Sequence, residues 1–63
     1  MKKEFFIKHK NKHITITLKP KGFLLDGEIT AIFDDCFEFK TNQATSIIEY
    51  EQVSSIKNRN GGD

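Results

Sequence analysis

The densest group of chemically useful side chains lies near the start of the chain, in Lys8-His9-Lys10-Asn11-Lys12. Lysines contact phosphates, and such contacts give affinity for nucleic acid with strong salt dependence and no sequence preference. The alternative is a solvated basic segment that only keeps the chain soluble. Spacing alone favours this alternative, because short motifs often match by chance.

The two histidines are the candidates for a zinc site. His9 and His13 are four residues apart and would share one face of a helix. Zinc takes three or four protein ligands, and no third ligand lies nearby in the sequence. On this ground the sequence predicts no metal site.

The acidic pairs and the cysteine do not form a recognisable catalytic set. Asp34-Asp35 and the pair Glu49 and Glu51 could serve acid–base catalysis or calcium binding, but neither has a nucleophile, a base or a glycine-containing ligand loop around it. They are typical of turns and solvated strand faces. Acidic neighbours make Cys36 a poor nucleophile. The sequence therefore predicts a protein that is not an enzyme and binds no cofactor.

The length sets the scale of the fold that must position these side chains. A chain of 63 residues forms one domain, which we place at 1–57, and buries only about 60% of the surface of its unfolded chain. A single cysteine excludes an internal disulfide. Because neither a disulfide nor zinc can support the thin core, we expect self-association.

The start of the sequence carries no targeting pattern. The first apolar stretch, Phe5-Phe6-Ile7, is too short for a signal peptide or a membrane-spanning helix. Together with the single thiol, this favours the cytoplasm and no membrane partner.

The charges are divided along the chain although the net charge is only +1. Seven lysines against one glutamate give +6 over residues 1–22, and seven carboxylates against one lysine give −6 over 23–51. If the division persists in the folded chain, one face attracts anions and another repels them.

Alternating apolar residues predict five short strands, at 14–18, 23–33, 37–40, 47–50 and 53–57. Turns are predicted at 20–22 and 34–35. Residues 1–12 form either a short helix or a frayed arm, and residues 58–63 a disordered tail.

Gly27 interrupts the long second strand at an apolar position. A strand glycine commonly marks a bend, and the alternative is a hairpin turn at Asp26-Gly27. We prefer the bend, because a turn would leave a stub too short to pair. The predicted core is Ile14, Ile16, Leu18, Leu25, Ile29, Phe33, Phe37, Phe39, Ile48 and Tyr50.

The order of short motifs resembles a known family. The motifs are Ile14-Thr-Ile-Thr-Leu18, a turn with Gly22, Leu25-Asp-Gly27-Glu-Ile29, Phe33-Asp34, Phe37-Glu38-Phe39 and Ile48-Glu-Tyr50. Over residues 5–57 this order is similar to the Sm-like (LSm) family, and within it to the bacterial RNA chaperone Hfq.

The chain departs from that family at its binding motifs. Glu38 stands where the Sm motif has asparagine, and Tyr50-Glu51-Gln52 replaces Tyr-Lys-His. Cys36 occupies the position near which the family stacks a base. The uridine pocket therefore does not carry over residue by residue.

The resemblance implies a small, strongly bent, five-stranded antiparallel Sm-like (SH3-like) barrel, all-β apart from a short N-terminal helix. It also implies a homo-oligomeric ring, a hexamer or heptamer, that binds single-stranded RNA. Because the usual base-specific residues are replaced, we expect little sequence preference. The predicted RNA-binding residues are Lys8, Lys10, Lys12, Lys19, Lys21, Tyr50 and Gln52. For Tyr50 we favour burial with a satisfied hydroxyl over a place near the pore. The alternative function is an SH3-like protein-interaction module or ring scaffold without nucleic acid.

Overall fold

The computed structural model describes residues 2–58, which form one bent antiparallel sheet behind a short helix. The elements are α1 (Lys3–Ile7), β1 (His13–Leu18), β2 (Phe23–Ile32), β3 (Cys36–Lys40), β4 (Thr45–Glu49), a 3-10 turn (Tyr50–Gln52) and β5 (Val53–Asn58). The predicted five-stranded antiparallel fold with its N-terminal helix is confirmed, and the sheet bends without closing. Residues 59–63 of the predicted disordered tail lie outside the described residues.

The strands follow one another in the order β4-β3-β2-β1-β5. Within residues 2–58, β4 pairs only with β3 and β5 only with β1. Both edges of the sheet therefore present backbone N–H and C=O groups that this part of the chain leaves unpaired, the usual liability of edge strands. Among the same residues, no helix has the length and apolar character needed to cross a bilayer.

The second strand changes its partner next to Gly27. β2 pairs with β1 as far as Glu28, which lies opposite His13, and the pairing with β3 begins at the same residue, opposite Lys40. A Cβ atom on Gly27 would lie 2.1 Å from the Lys40 carbonyl oxygen, so only glycine allows this approach. β2 is continuous through Gly27, so the alternative of a hairpin turn at Asp26-Gly27 is wrong.

The predicted burial of Phe33 is wrong, and a bulge explains why. Ile29 lies opposite Phe39, but the next pair is Ala31 with Glu38, which leaves Thr30 as an extra residue in β2. One extra residue moves every later side chain to the other face of the strand. Ile32 consequently packs against the core, whereas Phe33 is 46% exposed.

The core lies inside the bend of the sheet. Its buried members are Phe6, Ile14, Ile16, Ile29, Phe37, Phe39, Ile48, Tyr50 and Val53. The predicted Leu18 and Leu25 pack against this cluster as partly buried residues. Phe6 and Val53 were not among the predicted core residues, and Phe6 is the contribution of α1.

The prediction that Tyr50 belongs to the fourth strand is also wrong. β4 ends at Glu49, and Tyr50 begins the 3-10 turn that leads into β5. The turn is closed by its own side chains, since the Glu49 backbone N–H donates to the Gln52 side-chain oxygen over 3.0 Å. The turn redirects the chain while the Tyr50 ring still points into the core.

Candidate functional site

The lysines of residues 8–12, called the basic segment below, lie on a hydrogen-bonded backbone rather than on a frayed arm. The Asn11 N–H donates to the Ile29 carbonyl over 2.9 Å, and Lys10 forms a parallel bridge with Ile29. The Lys12 N–H donates to the His9 carbonyl over 3.0 Å. Lys8, Lys10 and Lys12 are all exposed, so three ammonium groups project from an anchored loop.

No lysine of the basic segment forms an ion pair with a carboxylate of residues 2–58. Within residues 2–58 the only ion pair joins Lys3 Nζ and Asp34 Oδ1 at 3.5 Å. Lys8, Lys10 and Lys12 take part in none, so their charges are available to an anionic partner. Three of the seven lysines in the first third of the chain thus lie together on one exposed loop.

Lys19 and Lys21 lie at the other end of β1. They belong to the turn that joins β1 to β2, and both are exposed. This turn is tied to the 3-10 turn, because the Lys19 N–H donates to the Gln52 carbonyl over 2.7 Å. The predicted lysines therefore form two groups, separated by the length of β1.

The remaining two predicted residues differ in accessibility. Gln52 is exposed beside the Lys19–Lys21 group, but its side-chain oxygen already accepts the Glu49 N–H. Tyr50 is only 5% exposed, and its hydroxyl donates to the Phe33 carbonyl over 2.6 Å. The Tyr50 ring stacks on Phe37 with centroids 5.5 Å apart.

Burial raises the pKa of the Tyr50 hydroxyl. The nearby Cys36 and the Asp34 and Asp35 carboxylates act in the same direction. Tyr50 is therefore a neutral, hydrogen-bonded core residue, the role that the sequence favoured for it.

His9 is half-buried in the basic segment, and its Nδ1 atom is buried without a hydrogen-bond partner among residues 2–58. Burial lowers the pKa of His9, and the charges of Lys8 and Lys12 lower it further. Within residues 2–58 no group of three or more His, Cys, Asp or Glu side chains is arranged to hold a metal ion. His9 is better described as a neutral packing residue of the loop.

The lowered pKa of His9 predicts a loss of stability in mild acid. The unfolded chain binds a proton near the ordinary histidine pKa of about 6.5, whereas the folded chain binds it only at lower pH. The stabilisation is therefore complete above about pH 7 and is lost as the pH falls through 6.5 toward the lowered value. Urea unfolding at about pH 7.5 and about pH 5.5 should show a lower midpoint in acid.

Two histidine variants separate this effect from other titrations. The decrease should shrink in His9→Gln and persist in His13→Gln, which removes the exposed histidine at the start of β1. An equal decrease in the two variants would show that His9 is not the group responsible.

The predicted acidic turn residues meet around one open depression. Asp34, Asp35, Glu49 and Glu51 surround Tyr50 in a hollow of ≈ 360 Å³. Four carboxylates in one place repel phosphates and attract cationic groups. The charge division of the sequence is thus also present in the fold.

Phe5 is the residue of this region that the sequence reasoning missed. It is 46% exposed, and Lys8 Nζ lies over its ring at 5.9 Å from the centroid. The spacing Phe5–Lys8 (i, i+3) on a short helix was the available signal. That spacing indicates an exposed pair only if Phe6 is the helix residue that faces the core.

No protein-family model matches the chain, and no curated protein matches it. The similarity to Sm-like proteins therefore remains a resemblance of short motifs.

Proposed function

We propose that this chain is a cytoplasmic, ring-forming, Sm-like RNA-binding protein without enzymatic activity. It contacts single-stranded RNA mainly through lysine–phosphate contacts of the basic segment. The observation that carries the proposal is the anchoring of Lys8, Lys10 and Lys12 on a hydrogen-bonded loop where they are exposed and make no ion pair within residues 2–58.

Anchoring matters because it reduces the cost of binding. A lysine on a frayed arm loses backbone freedom when it meets a phosphate, at about 1–2 kcal/mol per ordered residue. The bridge between Lys10 and Ile29 fixes the loop before any ligand arrives. The contacts are to the phosphates and not to the base edges, so the RNA preference is weak.

The open edges of the sheet support the ring. β4 and β5 lie at opposite ends of one bent sheet, so β4 of one copy can pair with β5 of the next. Such a head-to-tail contact uses two different surfaces and closes into a ring when the rotation permits. The resemblance implies six or seven copies, and each added copy contributes another basic segment to the total affinity.

The assembly can be tested at the exposed face of β4. Ile47 is 58% exposed in the single chain, whereas its neighbour Ile48 is buried. We expect the unmodified chain to sediment as a hexamer or heptamer. Ile47→Asp should stay folded by circular dichroism but sediment with a lower mass than the ring. Ile48→Asp is the matched variant that should unfold, because it buries a charge in the core. A monomeric unmodified chain at high protein concentration would contradict the ring.

RNA binding can be tested with three charge-matched double variants. The first variant, Lys10→Gln/Lys12→Gln, changes the basic segment. The second, Lys19→Gln/Lys21→Gln, changes the turn after β1. The third, Lys40→Gln/Lys57→Gln, changes two exposed lysines elsewhere in the sheet. Each lowers the net charge equally. Fluorescence anisotropy with labelled single-stranded RNA should show the largest loss of affinity for the first pair and the smallest for the third.

Equal losses in all three variants would mean that RNA responds only to net charge, and the basic segment would not be a site. A dominant loss in the second pair would move the interface to the Lys19–Lys21 turn and its neighbour Gln52.

An SH3-like protein-interaction module or ring scaffold without nucleic acid is the second candidate. It is favoured by the acidic depression of Asp34, Asp35, Glu49 and Glu51, which suits a cationic peptide better than RNA. If the purified unmodified chain binds no RNA even at low salt, this function replaces the first.

A further inference from the structure

The orientation of α1 exposes one aromatic ring at the start of the basic segment. Phe6 is fully buried and stacks on Phe37 with centroids 4.7 Å apart, which fixes the rotation of the helix. Successive helical residues point about 100° apart, so Phe5 is turned to the side. Its ring is 46% exposed.

A lysine of the basic segment accompanies that ring. Lys8 follows Phe5 by three residues and so shares its side of the helix, and Lys8 Nζ lies 5.9 Å from the ring centroid. This distance is within the range of a cation–π contact. Lys10 and Lys12 continue along the anchored loop from the same point.

We propose that Phe5 is a base-stacking platform, so that the basic segment takes single-stranded nucleotides with an unpaired base on the Phe5 ring. This inference rests on the proposed function. The phosphates on either side of the stacked base contact Lys10 and Lys12, while Lys8 lies over the same ring. Every base has a flat face, so the platform is tolerant of sequence. A duplex is disfavoured because its bases are already stacked on one another.

The other exposed phenylalanines suit this role less well. Phe33 is as exposed as Phe5 but precedes Asp34 and Asp35, whose charges repel phosphates. Phe23 is more exposed, yet within residues 2–58 the only cation–π contact is that of Lys8 with Phe5. Phe23 is therefore the matched control for an exposed ring outside the basic segment.

The test uses two probes and two variants of the full chain. The probes are a labelled single-stranded RNA and an abasic strand of the same length, which keeps the phosphates but has nothing to stack. Phe5→Leu removes the ring while keeping an apolar side chain of good helix propensity, and Phe23→Leu is the control. We expect Phe5→Leu to weaken RNA binding about tenfold, with no change for the abasic strand and no effect of Phe23→Leu.

Several results would overturn the inference. These are equal affinity of the unmodified chain for RNA and the abasic strand, an unchanged affinity in Phe5→Leu, or a loss in Phe23→Leu as large as in Phe5→Leu. A decrease in sedimenting mass of Phe5→Leu would identify Phe5 as a contact between copies and also overturn it. If the unmodified chain bound neither probe, the proposed function itself would fail, which is a different outcome from equal binding of both.

Discussion

Phe6→Ala is expected to unfold the domain or to leave it close to its unfolding midpoint. Phe6 is fully buried, and its ring lies 4.7 Å from the Phe37 centroid and 4.9 Å from that of Tyr50. Removing a buried phenylalanine ring typically costs about 3–5 kcal/mol. A domain of this size has a total stability of only about 3–9 kcal/mol.

Phe5→Ala is the matched control for this result. It removes the same ring from the adjacent position of the same helix, but from a half-exposed site. Its urea midpoint should decrease only slightly, and Phe6→Ala should show little or no cooperative transition. Similar midpoints for the two variants would mean that α1 does not dock through Phe6.

Gly27→Val should destabilise the fold by about 3 kcal/mol, at the upper end of the usual cost of overpacking. The new Cβ would lie 2.1 Å from the Lys40 carbonyl oxygen and 3.1 Å from Phe39 Cε2. Neither neighbour can move freely, because the first is backbone and the second belongs to a buried ring. Relieving the clash requires β3 to separate from β2 where β2 changes partner.

Gly22→Ala provides the contrast for Gly27→Val. Gly22 has a φ of +78° but nothing within 4 Å of an added Cβ, so only the left-handed backbone opposes alanine. That cost is about 1–2 kcal/mol. Urea unfolding should rank Gly27→Val as clearly the worse of the two, and an unchanged midpoint in Gly27→Val would contradict the close approach of β3.

The strands could be predicted from the sequence because alternation is a local property. Ile14, Ile16 and Thr15 mark β1 by themselves, and β1 begins at His13, one residue before the predicted start. The bend could be predicted because a glycine stands where the alternation demands an apolar side chain. The structure adds the cause, which is the Lys40 carbonyl of a strand thirteen residues later.

Features that depend on packing between elements could not be predicted. The local sequence around Thr30 does not predict the bulge that turns Phe33 outward, because the bulge is caused by the register between β2 and β3. Nothing in Phe5-Phe6-Ile7 says which ring faces inward until the sheet is present to receive one. Tyr50 lies in a turn rather than a strand for a related reason, since the chain must redirect there to bring β5 beside β1.

The candidate site also has features that the sequence predicts and features that only the fold shows. Clustering of Lys8, Lys10 and Lys12 is visible in the sequence, but their anchoring through Ile29 is not. Lys19 and Lys21 belong to the same predicted set of RNA-binding residues, whereas the fold separates the two groups by the length of β1. Phe5 is not in that set, because its exposure follows from the burial of Phe6 beside it.

The salt dependence of RNA binding tests the central claim most directly. The affinity of single-stranded RNA for the unmodified chain and for Lys8→Gln/Lys10→Gln/Lys12→Gln is measured at several salt concentrations. Each lysine–phosphate contact contributes about 0.7 to the slope of log affinity against log salt, so the triple variant should show a slope flatter by about 2 for each basic segment that the RNA contacts. An unchanged affinity and slope in the triple variant would contradict RNA binding by the basic segment.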